Sequence, residues 1–141
     1  MLRAVLDPGV LIAALLSRKG APAQLLRAWV DGQFELVVSP NLVDELDRVL
    51  RRPRFTSYVS IADVDDYVGG LRRLATVLAD PSPAPRAAPD PNDDYLVALA
   101  QAAKVHYLVS GDTHLTRLAI RPPVLSPRAF LTFLESPPGR R

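Results

Sequence analysis

Several acidic side chains of this chain stand where they could do chemistry. Asp7 follows the apolar run Ala4-Val5-Leu6 and is separated by Pro8 and Gly9 from a second apolar run, Val10 to Leu16. Asp112 repeats the arrangement: Val105 to Val109, then Ser110-Gly111, then the acid, then a short helical pattern. Glu45 immediately precedes Leu46 in an amphipathic stretch, and Asp90, Asp93 and Asp94 flank or open another. Carboxylates converging on one sheet edge repel one another unless a divalent cation or protons neutralise them. Oxygen donors without cysteine favour Mg²⁺ or Mn²⁺ over Zn²⁺. Such a cation lowers the pKa of a bound water, and the chemistry most at home there is hydrolysis of a phosphodiester.

Each acid also has a plainer use. Asp7 suits a helix N-cap. Glu45 falls at the border of the stripe Leu42, Leu46, Val49 and Leu50, where it either looks into a crevice or lays its stem over apolar surface. Asp90, Asp93 and Asp94 suit the positive end of a helix dipole. Against the inward stripe Leu96, Leu99, Ala100 and Ala103, Asp93 sits closer than Asp94, which remains the second choice for the inward acid.

The elements that must position these acids follow from hydrophobic period and from turn residues. Strands are expected at residues 4–6, Phe34 to Val38, Thr76 to Leu78, Val105 to Val109 and Pro122 to Leu125. Helices are expected over Val10 to Leu16, from Ala21-Pro22 to Gly32, Asn41 to Arg52, Ser60 or Asp63 to Ala75, Asn92 to Ala103, His114 to Ala119, and Ser126-Pro127 to Leu134. Pro8-Gly9 reads as a tight turn, and Pro53 as a helix stop followed by irregular chain. Residues 80–91, rich in proline and alanine, read as a surface connection. Strands alternating with helices predict an α/β protein: a three-layer α/β/α sandwich around a mostly parallel, Rossmann-like sheet. Open parallel sheets place their ligand crevice at the carboxyl ends of strands, where Asp7 and Asp112 fall.

With 141 residues and 48% apolar composition, the chain can bury one proper core. Residues 1–135 are expected to form a single domain, with 136–141 as a short tail. No apolar run approaches the roughly 20 residues of a membrane span. Arg3 and Asp7 make the opening run a poor signal peptide. Without cysteine there is neither disulfide nor thiolate chemistry, in keeping with a cytoplasmic protein. The net charge is +2 and Lys19 and Lys104 are the only lysines, so the base is arginine, suited to bidentate phosphate contacts. His106 and His114 lack the spacing of a zinc site and read as structural or surface residues. The glycines form neither a Walker motif nor GxGxxG. A phosphatase is disfavoured because Gly9 stands where a second acid would be needed.

The stretches VLDPGVLIAALL (5–16), SPNLVDELDRVL (39–50), DPNDDYLVALAQAAKVHYLVSGD (90–112) and VLSPRAFL (124–131) together resemble PIN-domain nucleases, most of all the VapC-like toxins of prokaryotic toxin–antitoxin pairs. The resemblance spans nearly the whole chain. It implies a PIN-like fold and cleavage of RNA with Mg²⁺ or Mn²⁺. Carried over residue by residue, it implies Asp7, Glu45, Asp93 and Asp112 as the catalytic acids, with Asp7, Asp93 and Asp112 on the metal. Asp90 matches a recurrent acid and Ser110 a recurrent Ser/Thr. An antitoxin protein covering the acidic groove and a homodimer are also implied. One departure stands out: the family usually has Thr or Ser and then Asn after the first acid, where this chain has Pro8 and Gly9. The loss of two polar side chains motivates an alternative, a weakly active or inactive module that binds RNA or a partner. Arg18, Lys19 and Arg117 are candidate rim cations.

Overall fold

The computed structural model describes residues 1–81 and 94–137. Their element order is β1 (Arg3–Leu6), α1 (Pro8–Leu16), α2 (Ala21–Val30), β2 (Glu35–Val38), α3 (Pro40–Leu50), α4 (Pro53–Thr56), α5 (Ile61–Leu74), β3 (Thr76–Val77), α6 (Asp94–Ala102), β4 (Tyr107–Val109), α7 (Thr113–Thr116), β5 (Val124–Leu125) and α8 (Pro127–Glu135). The strands form one sheet of order β3-β2-β1-β4-β5, and all four pairings are parallel.

One local pattern recurs where strands end: a capping side chain, then proline in the first helical turn. Asp7, Ser39 and Ser126 each accept a backbone N–H of the following helix, with Pro8, Pro40 and Pro127 behind them. Proline needs no N–H partner there, and its φ already suits a helix. Pro8-Gly9 is therefore the first turn of α1 and not a separate turn. Pro53 likewise does not only end a helix: it opens the short α4. The strand expected from Val105 begins at Tyr107, and the helix expected over His114 to Ala119 is the single turn α7.

The helices cover both faces of the sheet. On one face α1 packs against α2 and α3, α3 against α5, and α2 against α8. Right-handed crossovers put α6, which contacts β4 and β1, on the other. The three layers enclose a core in which Leu6, Leu11, Leu25, Leu36, Leu42 and Leu108 are fully buried. Phe34 meets Phe130 edge-on at 5.2 Å, fastening α8 to the sheet's end. The Tyr67 hydroxyl donates to the Leu11 carbonyl at 2.7 Å and ties α5 to α1.

The buried stripe of α3 is Leu42, Val43, Leu46 and Leu50, with Val49 only half-buried. Val43 in place of Val49 turns the helix so that Glu45 lies roughly 115° from the centre of its buried face. Contacts with both α1 and α5 pull α3 round in this way, which the spacing of its own apolar residues does not reveal.

Candidate active site

The chain leaves β1 for one side of the sheet and returns at β4 for the other. The crevice between their carboxyl ends is the topological switch point of the fold. The register pairs Leu6 with Val109, so Asp7 and Ser110 emerge side by side, and the Asp7 N–H donates to the Val109 carbonyl at 3.0 Å. Asp112 follows two residues later as the N-cap of α7. Asp7 and Asp112 both line a cleft of about 310 Å³, walled by Gly9, Val10, Ala13, Pro22, Gly111 and Pro127.

Ser110 couples the two acids. It is fully buried, its hydroxyl hydrogen-bonds the Asp7 carboxylate, and its Oγ accepts the Asp112 backbone N–H at 3.0 Å. Asp7 Oδ1 accepts the Val10 N–H at 2.9 Å, and Asp112 Oδ1 accepts the His114 N–H at 2.8 Å. Each carboxylate is thus aimed by the helix that it caps. Gly9 completes the cradle: a Cβ there would stand 3.1 Å from Asp7 Oδ1.

Asp7 is only 8% exposed. Burial pushes its carboxyl above the ordinary range, against the lowering effect of the bonds from Ser110, Val10 and Gly9, and the nearby charge of Asp112 adds to the rise. Negative charge is costly at this site until positive charge arrives. The donor set fits a hard divalent cation, because among the described residues the titratable side chains lining the cleft are both carboxylates.

The structure brings together two of the four acids singled out in the sequence. Among the described residues no three His, Cys, Asp or Glu side chains form a metal-holding group. Glu45 is half-buried on α3 and is not among the residues that line this cleft. Its neighbours are engaged elsewhere, Asp44 with Arg72 at 3.1 Å and Asp47 with Arg51 at 3.0 Å, while Glu45 has no ion pair among the described residues. Asp90 and Asp93 lie outside the described residues, as do the rest of the 80–91 connection beyond Pro81 and the last four residues of the tail. Asp94 opens α6.

Of the rim cations, Arg18 lines a different cleft, beyond the far end of α1 with Tyr58 and Tyr67, and Arg117 is the exposed C-cap of α7. His114 is exposed, and His106 serves structurally at the opposite sheet edge, where its Nδ1 accepts the Arg3 N–H at 3.0 Å. Sequence reading did not single out Pro22 and Pro127 as cleft walls, since nothing local ties either one to Asp7.

A parallel sheet with two acids at its switch point defines an α/β protein with a carboxylate cleft. The chain belongs to the PIN domain family, whose sequence profile matches residues 3–114. Its fold is similar to that of PAE2754 from Pyrobaculum aerophilum, at 16% identity and a TM-score of 0.66 over 94% of this chain and 89% of that one. It is also similar to VapBC2 from Rickettsia felis, solved bound to a DNA fragment from their promoter (10% identity, TM-score 0.62, 88% and 97% coverage). A third likeness is to the PIN domain of human SMG5 (12% identity, TM-score 0.54, 94% and 99% coverage). At these identities the likeness is one of fold. No curated protein matches the chain in sequence.

Proposed function

We propose that this chain is a divalent-metal-dependent endoribonuclease, the toxin of a toxin–antitoxin pair, acting in the cytoplasm. Residues 1–135 form its single PIN-like domain and 136–141 a short tail. The observation that carries the reading is the pairing of Asp7 with Asp112 through Ser110 at the switch point, in a family of nuclease fold. Asp7, Asp93 and Asp112 would hold Mg²⁺ or Mn²⁺, which supplies an activated water and offsets charge on the scissile phosphate. The chain's own part is orientation. The helix N-termini of α1 and α7 aim the two carboxylates, Ser110 keeps them in register, and Glu45 directs a water or its proton from the α3 side. Exposed arginines hold the RNA backbone without reading its sequence. The toxin reading rests on the family and on the likeness to the Rickettsia felis pair, and it brings a protein antitoxin and a homodimer as partners. No described helix is long and apolar enough to cross a membrane.

The test is cleavage of total RNA by partner-free protein with Mg²⁺ or Mn²⁺, with Asp7→Asn and Asp112→Asn as controls. Activity that survives in a folded Asp7→Asn variant sinks the proposal.

A second reading is favoured by Gly9, which brings no side chain to the carboxylates, and by the apolar cleft walls Val10, Ala13, Pro22 and Pro127. In it the chain is a weakly active or inactive module that binds RNA or a partner. Calorimetry separates the two: RNA binding without any Mn²⁺ binding supports the module.

A further inference from the structure

At the opposite edge of the sheet, where β4 and β5 begin, lies a second concavity of about 460 Å³, a size usual for small-molecule sites. Five residues, three of them in β4, separate His106 from Asp112, which puts it on the order of 15–20 Å from the carboxylate cleft. Pro122, Pro123 and Val105 line it with apolar surface, and Lys104, His106 and Arg121 are its charged or titratable lining residues. Among the described residues no carboxylate lines it, and neither Lys104 nor Arg121 has an ion pair.

The backbone holds Lys104 there at a cost. The Val105 N–H donates to the Ala100 carbonyl at 3.2 Å and the Lys104 N–H to the Gln101 carbonyl at 3.1 Å. This is a Schellman closure of α6, and Lys104 occupies the position that glycine usually takes. Its φ is +53°, the left-handed region, which a residue with a Cβ rarely adopts. Residues held in such sparsely populated conformations cluster at functional sites. Attraction of the lysine charge to the helix C-terminus is a weak explanation, because the carbonyls of Leu99, Ala100, Gln101 and Ala103 already accept hydrogen bonds, that of Ala103 from Arg3 Nη1 at 2.8 Å. His106 adds a directed donor: its Nδ1 accepts the Arg3 N–H, so the neutral ring carries its proton on Nε2. Gln101 Nε2 donates to the Arg121 carbonyl at 3.0 Å and fixes the Arg121 side of the rim.

We propose that this pocket binds a small phosphorylated molecule the size of a nucleoside monophosphate. Its phosphate lies between Lys104 and Arg121 with His106 Nε2–H as a further donor, and its apolar ring rests on Pro122 and Pro123. The site is independent of the nuclease proposal.

Adenosine 5′-monophosphate is the probe, titrated into the full chain and followed by calorimetry and by the His106 imidazole NMR signals. Adenosine and inorganic phosphate are the comparisons. The expected result is saturable binding of the monophosphate, tighter than either fragment, with shifts at His106. Lys104→Gly suits the left-handed backbone and keeps the fold, and with Arg121→Gln it is expected to weaken binding by about tenfold or more. Asp7→Asn leaves the affinity as it was, so the pocket and the nuclease reading fail separately. The proposal is overturned by no binding, by adenosine binding as tightly as the monophosphate, or by equal affinity in the double variant. An unphosphorylated single-stranded oligonucleotide shifting His106 as strongly would place the pocket on an RNA path and overturn it too.

Discussion

The buried Ser110 hydroxyl oxygen accepts the backbone N–H of Asp112 at 3.0 Å while its proton serves Asp7. One small side chain thereby fixes the spacing of two acids that arrive on different strands. Ser110→Ala leaves the Asp112 N–H without that acceptor and Asp7 without its side-chain donor. Loss of the donor raises the Asp7 carboxyl further. We expect a stability loss of about 1–3 kcal/mol by denaturant titration. In the nuclease assay, the acidic limb of the pH–rate profile is expected to move to higher pH. An unmoved limb would mean that Ser110 is only packing.

Asp7 itself weakens the fold at neutral pH. Its folded pKa lies above the ordinary 3.8, so between those values the native state holds a proton that the unfolded chain has lost. Stability therefore falls as pH rises through that window, and the deficit persists at neutral pH. Asp7→Asn keeps an oxygen for the Val10 N–H and removes the charge. It is expected to abolish cleavage yet raise Tm at neutral pH. The gain should vanish below about pH 3.8, as thermal scans across pH will show.

Divalent cations should stabilise the wild-type chain. Ligand that binds only the native state adds RT ln(1 + [L]/Kd), about 2.7 kcal/mol at a hundredfold excess over Kd. Tm is expected to climb with Mn²⁺ concentration and to fall back with chelator. The same titration on Asp7→Asn or Asp112→Asn should be nearly flat. An equal rise in all three proteins would place the metal elsewhere.

Glu45 does not line the Asp7–Asp112 cleft and is half-buried beside an α3 face that turns toward Val43. Glu45→Gln is expected to leave Tm within about 1 °C, because the side chain holds no ion pair among the described residues. Cleavage is expected to fall, though less than in Asp7→Asn, with Mn²⁺ affinity unchanged. A large loss of Mn²⁺ affinity would instead make Glu45 a ligand.

Much of this molecule is legible along the chain because its signals are local. Strand, capping side chain, proline and helix follow one another at Asp7-Pro8, Ser39-Pro40 and Ser126-Pro127, and each pattern is decided within a few residues by backbone sterics and orphan N–H groups. The parallel α/β layering and the delivery of Asp7 and Asp112 to strand ends follow from the same patterns. Tertiary structure alone decided which side chains meet. The pairing of Leu6 with Val109 sets Ser110 beside Asp7, and packing against α1 and α5 sets the roll of α3 that carries Glu45. The fold also sets Lys104 and Arg121, from separate segments, in the lining of one concavity. These outcomes rest on contacts between residues far apart in the chain, and on a burial that shifts the charge balance of Asp7, which no periodicity in the sequence encodes.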